Sequence, residues 1–533
     1  MVLAVLCCYC WRLGWLLFII IIGSSSFAAS KTTCGDQQID VIVIGAGLAG
    51  LTASLRLAKA GKCVLILEAD DVVGGKCRNW DLGTVYDHTD PAAPAVATNV
   101  QVSVGGSFYN PLMETTFASL LSETGLMSSA YPPASININK FPPLAYPRSL
   151  QSENPIDFSI FVTAYTIGVS YPVLSVASKA IQALQSISVE DWLLSFSNAT
   201  ATAKDMVRDF VMLQMSVDAT LQDAYSFCKY VSEVLIYDSD TGIFPNGPLP
   251  PLIFQLVGGT GQLVVALHRR LEALGVVFKL RTTAVGVDQS SNPVKVLARG
   301  DENKGGEVLL FTAREYVIVT GGPGQIKEMT FTPKLPGPVE NLILAEQVHQ
   351  TVDVQLFAFF KHPWWFFPPS IRSPVIVPSQ QLLRMLRSNP DKAPKIMGVT
   401  IAVPPIIATE PSAHGYGVLR IMVPGDLYRS SEATIRADVL AYLAYFNINV
   451  HHSQLMDVKI FQWSKLKRFV NHGYFPTSSL LDNERSSYLQ VNGGQVGKIL
   501  FAGTESASRF TNLMEGAALS GYFAANKVLG SVF

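Results

Sequence analysis

The sequence predicts an α/β fold, a parallel sheet flanked by helices, with an α+β unit inserted into it in two blocks. Three observations predict it. A β-branched run, Ile39–Ile44, breaks into Gly45-Ala46-Gly47-Leu48-Ala49-Gly50 and then into helical periodicity. A second strand-like run, Cys63–Leu67, ends in the acid Glu68. Glycine-bearing stretches then return far downstream, at Gly105-Gly106, Gly258-Gly259, Gly321-Gly322 and Gly503, separated by blocks of different pattern.

Composition bounds what such a chain can do. At roughly 150 residues per domain, 533 residues suggest three or four domain-sized units or two large ones. Charged residues are 15%, below the typical ~25%. The net charge of -1 offers no basic stripe, which argues against nucleic-acid binding. With 49% apolar residues the chain can bury enough surface to offset its conformational entropy, which argues against disorder.

Residues 1–30 are set aside as a leader. A single charge, Arg12, precedes the mainly apolar run Leu13–Ile22, and the small residues Gly23–Ser30 follow. This pattern predicts a secretory signal peptide and a secreted or luminal protein. The rival is a retained anchor, because Met1–Trp11 is also apolar. Outside the leader remain Cys34, Cys63, Cys77 and Cys228, too few for a disulfide scaffold and without metal-site spacing. Cys63, inside an apparent strand, reads as a core thiol, and no metal is expected. Asn198-Ala199-Thr200 is a glycosylation triplet.

The elements follow in order. Ile39–Ile44 has the β-branched character of a buried parallel strand. Leu48, Leu51, Leu55 and Ala58 recur at helical spacing until Gly61 ends the pattern. In this strand–turn–helix setting Gly45 permits the tight turn, Gly47 lets a pyrophosphate approach the backbone, and Gly50 lets helix pack on strand. The free N–H groups of the helix N-terminus suit anionic phosphates, and Ala46, Leu48 and Ala49 of this turn are candidate cofactor-binding residues with the glycines. Glu68 can accept hydrogen bonds from an adenosine ribose. A second glycine pair, Gly74-Gly75, followed by the cation Lys76, has no duty in an NAD domain; it suits a chain passing close to an extended FAD. Gly105-Gly106-Ser107 is a third such site.

At these positions the sequence resembles the flavin-containing amine oxidase superfamily, the group of monoamine and polyamine oxidases with related desaturases and isomerases. Three further segments carry the resemblance: Val257–Leu263, Tyr316–Thr320 before Gly321-Gly322-Pro323, and the closing Leu500–Ser506 with Met514–Ala518. The resemblance implies an FAD-binding Rossmann-like domain of glutathione-reductase type at 38–110, 255–330 and 455–533. The α+β substrate domain would take 111–254 and 331–454. It further implies that Gly503, Thr504 and Glu505 lie near the ribityl-pyrophosphate part of FAD, that Val285 makes a backbone contact to adenine, and that a helix starting at Met514 points its N–H groups at the flavin.

The catalytic positions depart from the family pattern. The resemblance makes Tyr474 one aromatic wall of a substrate slot, but Leu513 stands where a second aromatic would be. Gly473 replaces the cysteine that bonds FAD in monoamine oxidases, so non-covalent FAD is expected. Gln355 occupies the position of a lysine that many members place near flavin N5. Lys76 replaces a usual arginine and loses its bidentate geometry. Trp364–Phe367 reads as packing between domains or an apolar entrance, and His451-His452 as surface. The expected function is oxidation of an amine-type or apolar small molecule by hydride transfer to flavin N5, with oxygen as a candidate acceptor. The alternatives are a desaturase or double-bond isomerase acting on a lipid or polyene, and a non-enzymatic binding protein. The expected partner is a small-molecule substrate, with membrane association only if the leader is retained.

Overall fold

The structure is a computed structural model. With short gaps inside these ranges, it describes Cys34 and residues 39–86, 96–97, 101–126, 130–131, 155–170, 179–234, 254–340, 354–361, 375–376, 399–402, 417–423, 434–445, 454–466 and 495–531. The leader, Tyr474, Trp364–Phe367 and His451-His452 lie outside the described residues.

One sheet has six strands, in the spatial order Val277–Lys279, Val64–Leu67, Val41–Ile44, Tyr316–Val319, Ile499–Phe501 and Gln495–Val496. The first five are parallel and the last is antiparallel. These strands come from three distant stretches of chain. Their side chains alternate between two dry faces, which is why each reads as an unbroken apolar run. Val41, Val43, Val64 and Ile66 face the helices Leu48–Lys59, Gly261–Ala273 and Met514–Val528. Ile42, Ile44, Leu65 and Val317 face a second sheet of Thr283–Asp288, Val294–Arg299, Val308–Ala313 and Thr330–Thr332. Helix, parallel sheet and smaller sheet therefore form three layers. The small residues of the closing helix let it lie against the first helix: a methyl added at Gly521 would sit 2.1 Å from the Ala49 carbonyl oxygen.

Cys63 is not a free core thiol. It forms a disulfide with Cys34, which ties the segment ahead of the first strand to the start of the second. Sequence could not supply this pairing, because strand burial says nothing about which side chain approaches from outside.

The second unit is built on an antiparallel sheet in the order Val375–Ile376, Val399–Ala402, Gly417–Val423, Val354–Phe360 and Leu455–Gln462. The last of these, grouped by sequence with the stretch 455–533, pairs with Val354–Phe360 and so belongs to this sheet. A strand's own residues show that it is a strand, while its partner is set by long-range packing. Leu356, Ala358, Phe360, Leu419 and Ile421 pack on the helix Ile435–Tyr445. Phe357, Phe359 and Val418 face the other way, onto Trp80, Leu82, Val102 and Val104. Helices Pro155–Ser170, Val189–Leu194, Ala201–Met215 and Ala224–Val234 form a separate cluster around Phe161, Trp192, Phe210 and Phe227. Ser188 caps its helix: its hydroxyl accepts from Asp191 N at 3.0 Å, and Asp191 returns the bond.

Candidate functional site

The site begins where the first strand ends. Gly45 has φ +104°, a conformation that favours glycine, and a methyl there would lie 2.5 Å from Thr320 Oγ1. Thr320 follows the strand Tyr316–Val319, and its hydroxyl donates to the Ile44 carbonyl at 2.8 Å. The helix Leu48–Lys59 starts from Gly47 with no side-chain cap and no acid in its first turn. Its first N–H groups are therefore open to an anion from outside, supported by the helix dipole.

Glu68, at the end of the second strand, accepts from Ala46 N at 2.6 Å and from Asp70 N at 2.8 Å. Burial raises its carboxyl above the ordinary 4.5, against the pull of these two hydrogen bonds. Arg78 pairs with Asp70 at 2.7 Å and holds the segment after Glu68 in place.

From Glu68 the other motifs follow in sequence around one locus. Gly74 bridges to Gly47. Lys76 Nζ donates to Glu505 Oε1 at 2.9 Å, joining residues 429 positions apart. Glu505 stands in the short helix after Gly503. A methyl at Gly105 would fall 1.5 Å from the Lys76 carbonyl oxygen, so this crossing admits only glycine. Gly106 meets the side chain of Met514, the first residue of the closing helix. That helix also has no side-chain cap at Leu513. Thus Gly45–Gly50, Glu68, Gly74–Lys76, Gly105–Ser107, Gly503–Glu505 and Met514 are brought together by a chain of contacts. Ser107 lies beside them, its hydroxyl donating to the Gly105 carbonyl at 3.2 Å.

The arrangement suits an extended dinucleotide. Uncapped helix starts and backbone N–H groups can take phosphates, Glu68 can take a ribose, and Lys76 supplies a cation. Val285 lies in the second sheet, where the ladder register passes from Ala284–Ala298 to Gly286–Leu297 and skips it. Its carbonyl accepts from Thr330 Oγ1 at 3.3 Å. Leu513 packs against the helical cluster of residues 160–234, so it sits between the closing helix and the second unit.

Gln355 is buried, and both ends of its amide are engaged. Its Nε2 donates to the Val104 carbonyl at 2.5 Å, and its Oε1 accepts from Arg420 Nε at 2.9 Å. Arg420 is a residue that sequence reasoning overlooked. The signal was a single charge inside the apolar run Val418-Leu419-Arg420-Ile421-Met422-Val423. Two other residues also passed unnoticed. Asn79 clamps the central glycine segment, donating to Gly258 O at 2.5 Å and accepting from Gly261 N at 2.9 Å. Thr260 of that segment donates to the Gly106 carbonyl at 2.7 Å.

Comparison with known proteins fits this geometry. The profile of the flavin containing amine oxidoreductases matches residues 48–529. The chain belongs to this family. Its members here include the flavin-containing amine oxidase A of Bos taurus, 25% identical over 94% of this chain and 87% of the relative. Among solved structures, cyclohexylamine oxidase from Brevibacterium oxydans IH-35A superposes with a TM-score of 0.66 at 18% identity, covering 92% of this chain and 99% of that one. Putrescine oxidase bound to putrescine gives 0.64 at 18% identity over the same shares. These two show the shared fold. As a member of the family the chain is an FAD-dependent oxidoreductase with a Rossmann-like FAD-binding fold.

Proposed function

We propose that this flavoenzyme oxidises an amine-type small molecule, passing a hydride from its α C–H bond to N5 of FAD. The observation that carries this reading is the convergence of four distant glycine-bearing segments and Met514 on one surface, in a chain of the amine oxidoreductase family. The cyclohexylamine and putrescine oxidases that share its fold take amines by name.

In this reading the first turn of Leu48–Lys59 receives the pyrophosphate, Glu68 the adenosine ribose, and the Val285 backbone the adenine. Lys76 neutralises phosphate charge, and the start of the Met514 helix faces the flavin ring. FAD supplies the hydride acceptor, and the protein has little acid–base work to do. Its residues must orient the donor carbon, exclude water and admit an unprotonated amine. FAD is held without a covalent bond, in keeping with Gly473 where relatives carry cysteine. Oxygen is the proposed acceptor of the electrons.

A second reading, a desaturase or isomerase of an apolar substrate, is favoured by Gln355 in place of the lysine. The two separate in one experiment. The purified yellow protein is mixed anaerobically with a panel of amines and of polyenes while flavin absorption is followed, and oxygen is then admitted. Bleaching by an amine, then peroxide release, supports the first reading. Turnover of a polyene with no oxygen uptake supports an isomerase, and a colourless protein that cannot be reconstituted with FAD returns the non-enzymatic reading.

We further propose export through the secretory route. The Cys34–Cys63 disulfide fits an oxidising compartment, and Asn198 of the glycosylation triplet is exposed. Among the described residues no helix is long and apolar enough to cross a membrane. A glycosidase-sensitive mass shift on the protein expressed in a eukaryotic cell tests this. An unglycosylated protein with reduced cysteines in the cytosol would reject it.

A further inference from the structure

On the face that the antiparallel sheet turns toward Val104–Ser107, Gln355 and Arg420 project together, while Asp457 and Lys459 leave the same face from the next strand and pair with each other at 3.0 Å. Phe357, Phe359, Val418, Trp80, Phe461 and Val102 are the apolar side chains of that interface. Arg420 lies opposite Phe357 in the ladder, two residues along from the partner of Gln355, so both polar side chains leave the same side of the sheet. Arg420 is 6% exposed.

Its guanidinium is almost fully hydrogen-bonded, yet among the described residues it meets no counter-charge. Nε donates to Gln355 Oε1 at 2.9 Å, Nη1 to Ser107 Oγ, and Nη2 to the carbonyls of Val104 at 3.2 Å and Gly105 at 3.1 Å. Every acceptor is neutral, and among the described residues no carboxylate lies within ion-pair distance of it. Burial lowers it to about 9, which still leaves it cationic at neutral pH. A buried cation without a partner is costly, and folds that keep one generally supply an anion. Here three of its four acceptors belong to the stretch Val104–Ser107, the stretch that crosses Lys76 and meets Met514.

In the proposed reading, the order of motifs assigns which end of the cofactor lies there. Glu68 is the ribose acceptor at the adenosine end, Gly47 and Gly75 adjoin it, and Lys76 with Glu505 come next. Gly105, Gly106 and Met514 stand furthest along, at the flavin end. Hydride transfer breaks a C–H bond, moves its electron pair and hydrogen to N5, and leaves the flavin one negative charge richer. A fixed cation in a dry interface stabilises that charge, since its field is little screened and costs no reorganisation.

We propose that Arg420, held by Gln355, Ser107 and the Val104 and Gly105 carbonyls, is the fixed positive charge that stabilises the reduced FAD. The inference rests on FAD binding at Gly105–Ser107 and not on the identity of the substrate. It is therefore tested without any substrate, so that its failure is distinct from a failure of the amine reading.

The probe is sulfite, whose sulfur adds to N5 of oxidised flavin and delivers negative charge to the ring. Its dissociation constant is measured on the yellow holoprotein by loss of flavin absorption. The reduction equilibrium against a dye of known potential is measured alongside. Arg420→Gln is expected to weaken sulfite binding at least tenfold and to shift the reduction equilibrium tenfold toward oxidised flavin, about 30 mV for two electrons. Arg420→Lys, which keeps the charge but not the fork of donors, is expected to stay within about threefold of the parent on both readouts. A purely structural arginine would give the opposite pattern, with both variants less heat-stable and both readouts unchanged. Gln355→Glu leaves Arg420 in place and sets a carboxylate against it. This variant is expected to reproduce the tenfold loss, and it decides the matter if neither Arg420 variant retains FAD. An Arg420→Gln or Gln355→Glu holoprotein with parental sulfite affinity and reduction equilibrium overturns the proposal.

Discussion

Two surfaces meet at Val104–Ser107, and they are built by opposite rules. The surface on the parallel-sheet side is made largely of backbone: Gly50 meets Gly45, Gly75 meets Gly47 and Gly105 meets Lys76 main chain to main chain. The surface on the antiparallel-sheet side is made of side chains: Phe357, Phe359, Gln355 and Arg420 project from regular strands. Where backbone meets backbone, as at Gly50 and Gly105, an added methyl strikes a main-chain carbonyl that cannot swing aside. A side-chain surface on strands can be rewritten residue by residue without disturbing the fold. That difference explains how a chain can keep its family's fold and glycine motifs while the side chains facing them vary.

The comparison breaks most readily at Gly105. Gly105→Ala is expected to lose FAD and to cost about 3 kcal/mol of stability, because its methyl would meet the Lys76 carbonyl and neither backbone can yield. Thermal unfolding and the flavin content of the purified protein check this. A yellow Gly105→Ala protein of parental stability would show that the crossing is looser than the geometry implies.

Glu515 marks where the two kinds of surface share a support. It stands in the first turn of the closing helix, where a family reading looks toward the flavin, yet its carboxylate accepts from Thr116 N at 3.0 Å and Phe117 N at 2.7 Å. It thus caps the helix Thr115–Glu123, whose own Glu114 makes no side-chain cap bond. Glu515→Gln is expected to cost about 2 kcal/mol in denaturant unfolding, because an amide replaces one charged acceptor oxygen with a donor facing an N–H. An unchanged midpoint would mean that water or a rearranged loop serves those groups equally well.

The same contrast accounts for what the sequence disclosed. Val41–Ile44, the Leu48 helix, Val64–Leu67 and the Met514 helix lie close to where pattern places them, because strand burial and glycine spacing are local signals. The apolar runs Val399–Ala402 and Gly417–Val423 carry a local strand pattern, but nothing local names their sheet neighbours, and Leu455–Gln462 joins their sheet. Arg420 shows the limit most clearly. Within an apolar strand a single arginine has no local meaning until Gln355, 65 residues earlier, and Ser107, 313 residues earlier, are folded onto it. The Cys34–Cys63 bond and the cap from Glu515 are of the same long-range kind.

Glu68 sharpens the comparison on the backbone side, where its carboxylate is the proposed acceptor for the ribose. A ribose hydroxyl donating to its carboxylate would lower the carboxyl in the FAD complex relative to the free protein, where burial raises it. FAD affinity should then be constant above that raised value and fall as pH drops below it, with the fall beginning above the ordinary 4.5. Glu68→Gln is expected to bind FAD about tenfold more weakly at neutral pH, about 1.4 kcal/mol, and to flatten the pH dependence. FAD titrations of the apoprotein across this pH range decide it, and a parental pH profile in the variant would remove Glu68 from the ribose role.

The smallest effect on stability belongs to Lys76, the cation that follows the Gly74-Gly75 pair. Its side chain is 43% exposed, so its 2.9 Å pair with Glu505 is screened by water and salt and contributes less than about 1 kcal/mol to folding. Phosphate binding would engage the charge more fully, since two phosphates bring more opposing charge than one carboxylate. Lys76→Ala should therefore leave the melting temperature of the apoprotein within a few degrees of the parent and weaken FAD binding by a larger factor. Lys76→Arg should recover that affinity. A Lys76→Ala protein that melts earlier but binds FAD unchanged would make the lysine a partner of Glu505 alone, and would leave the phosphates to the first turn of the Leu48 helix.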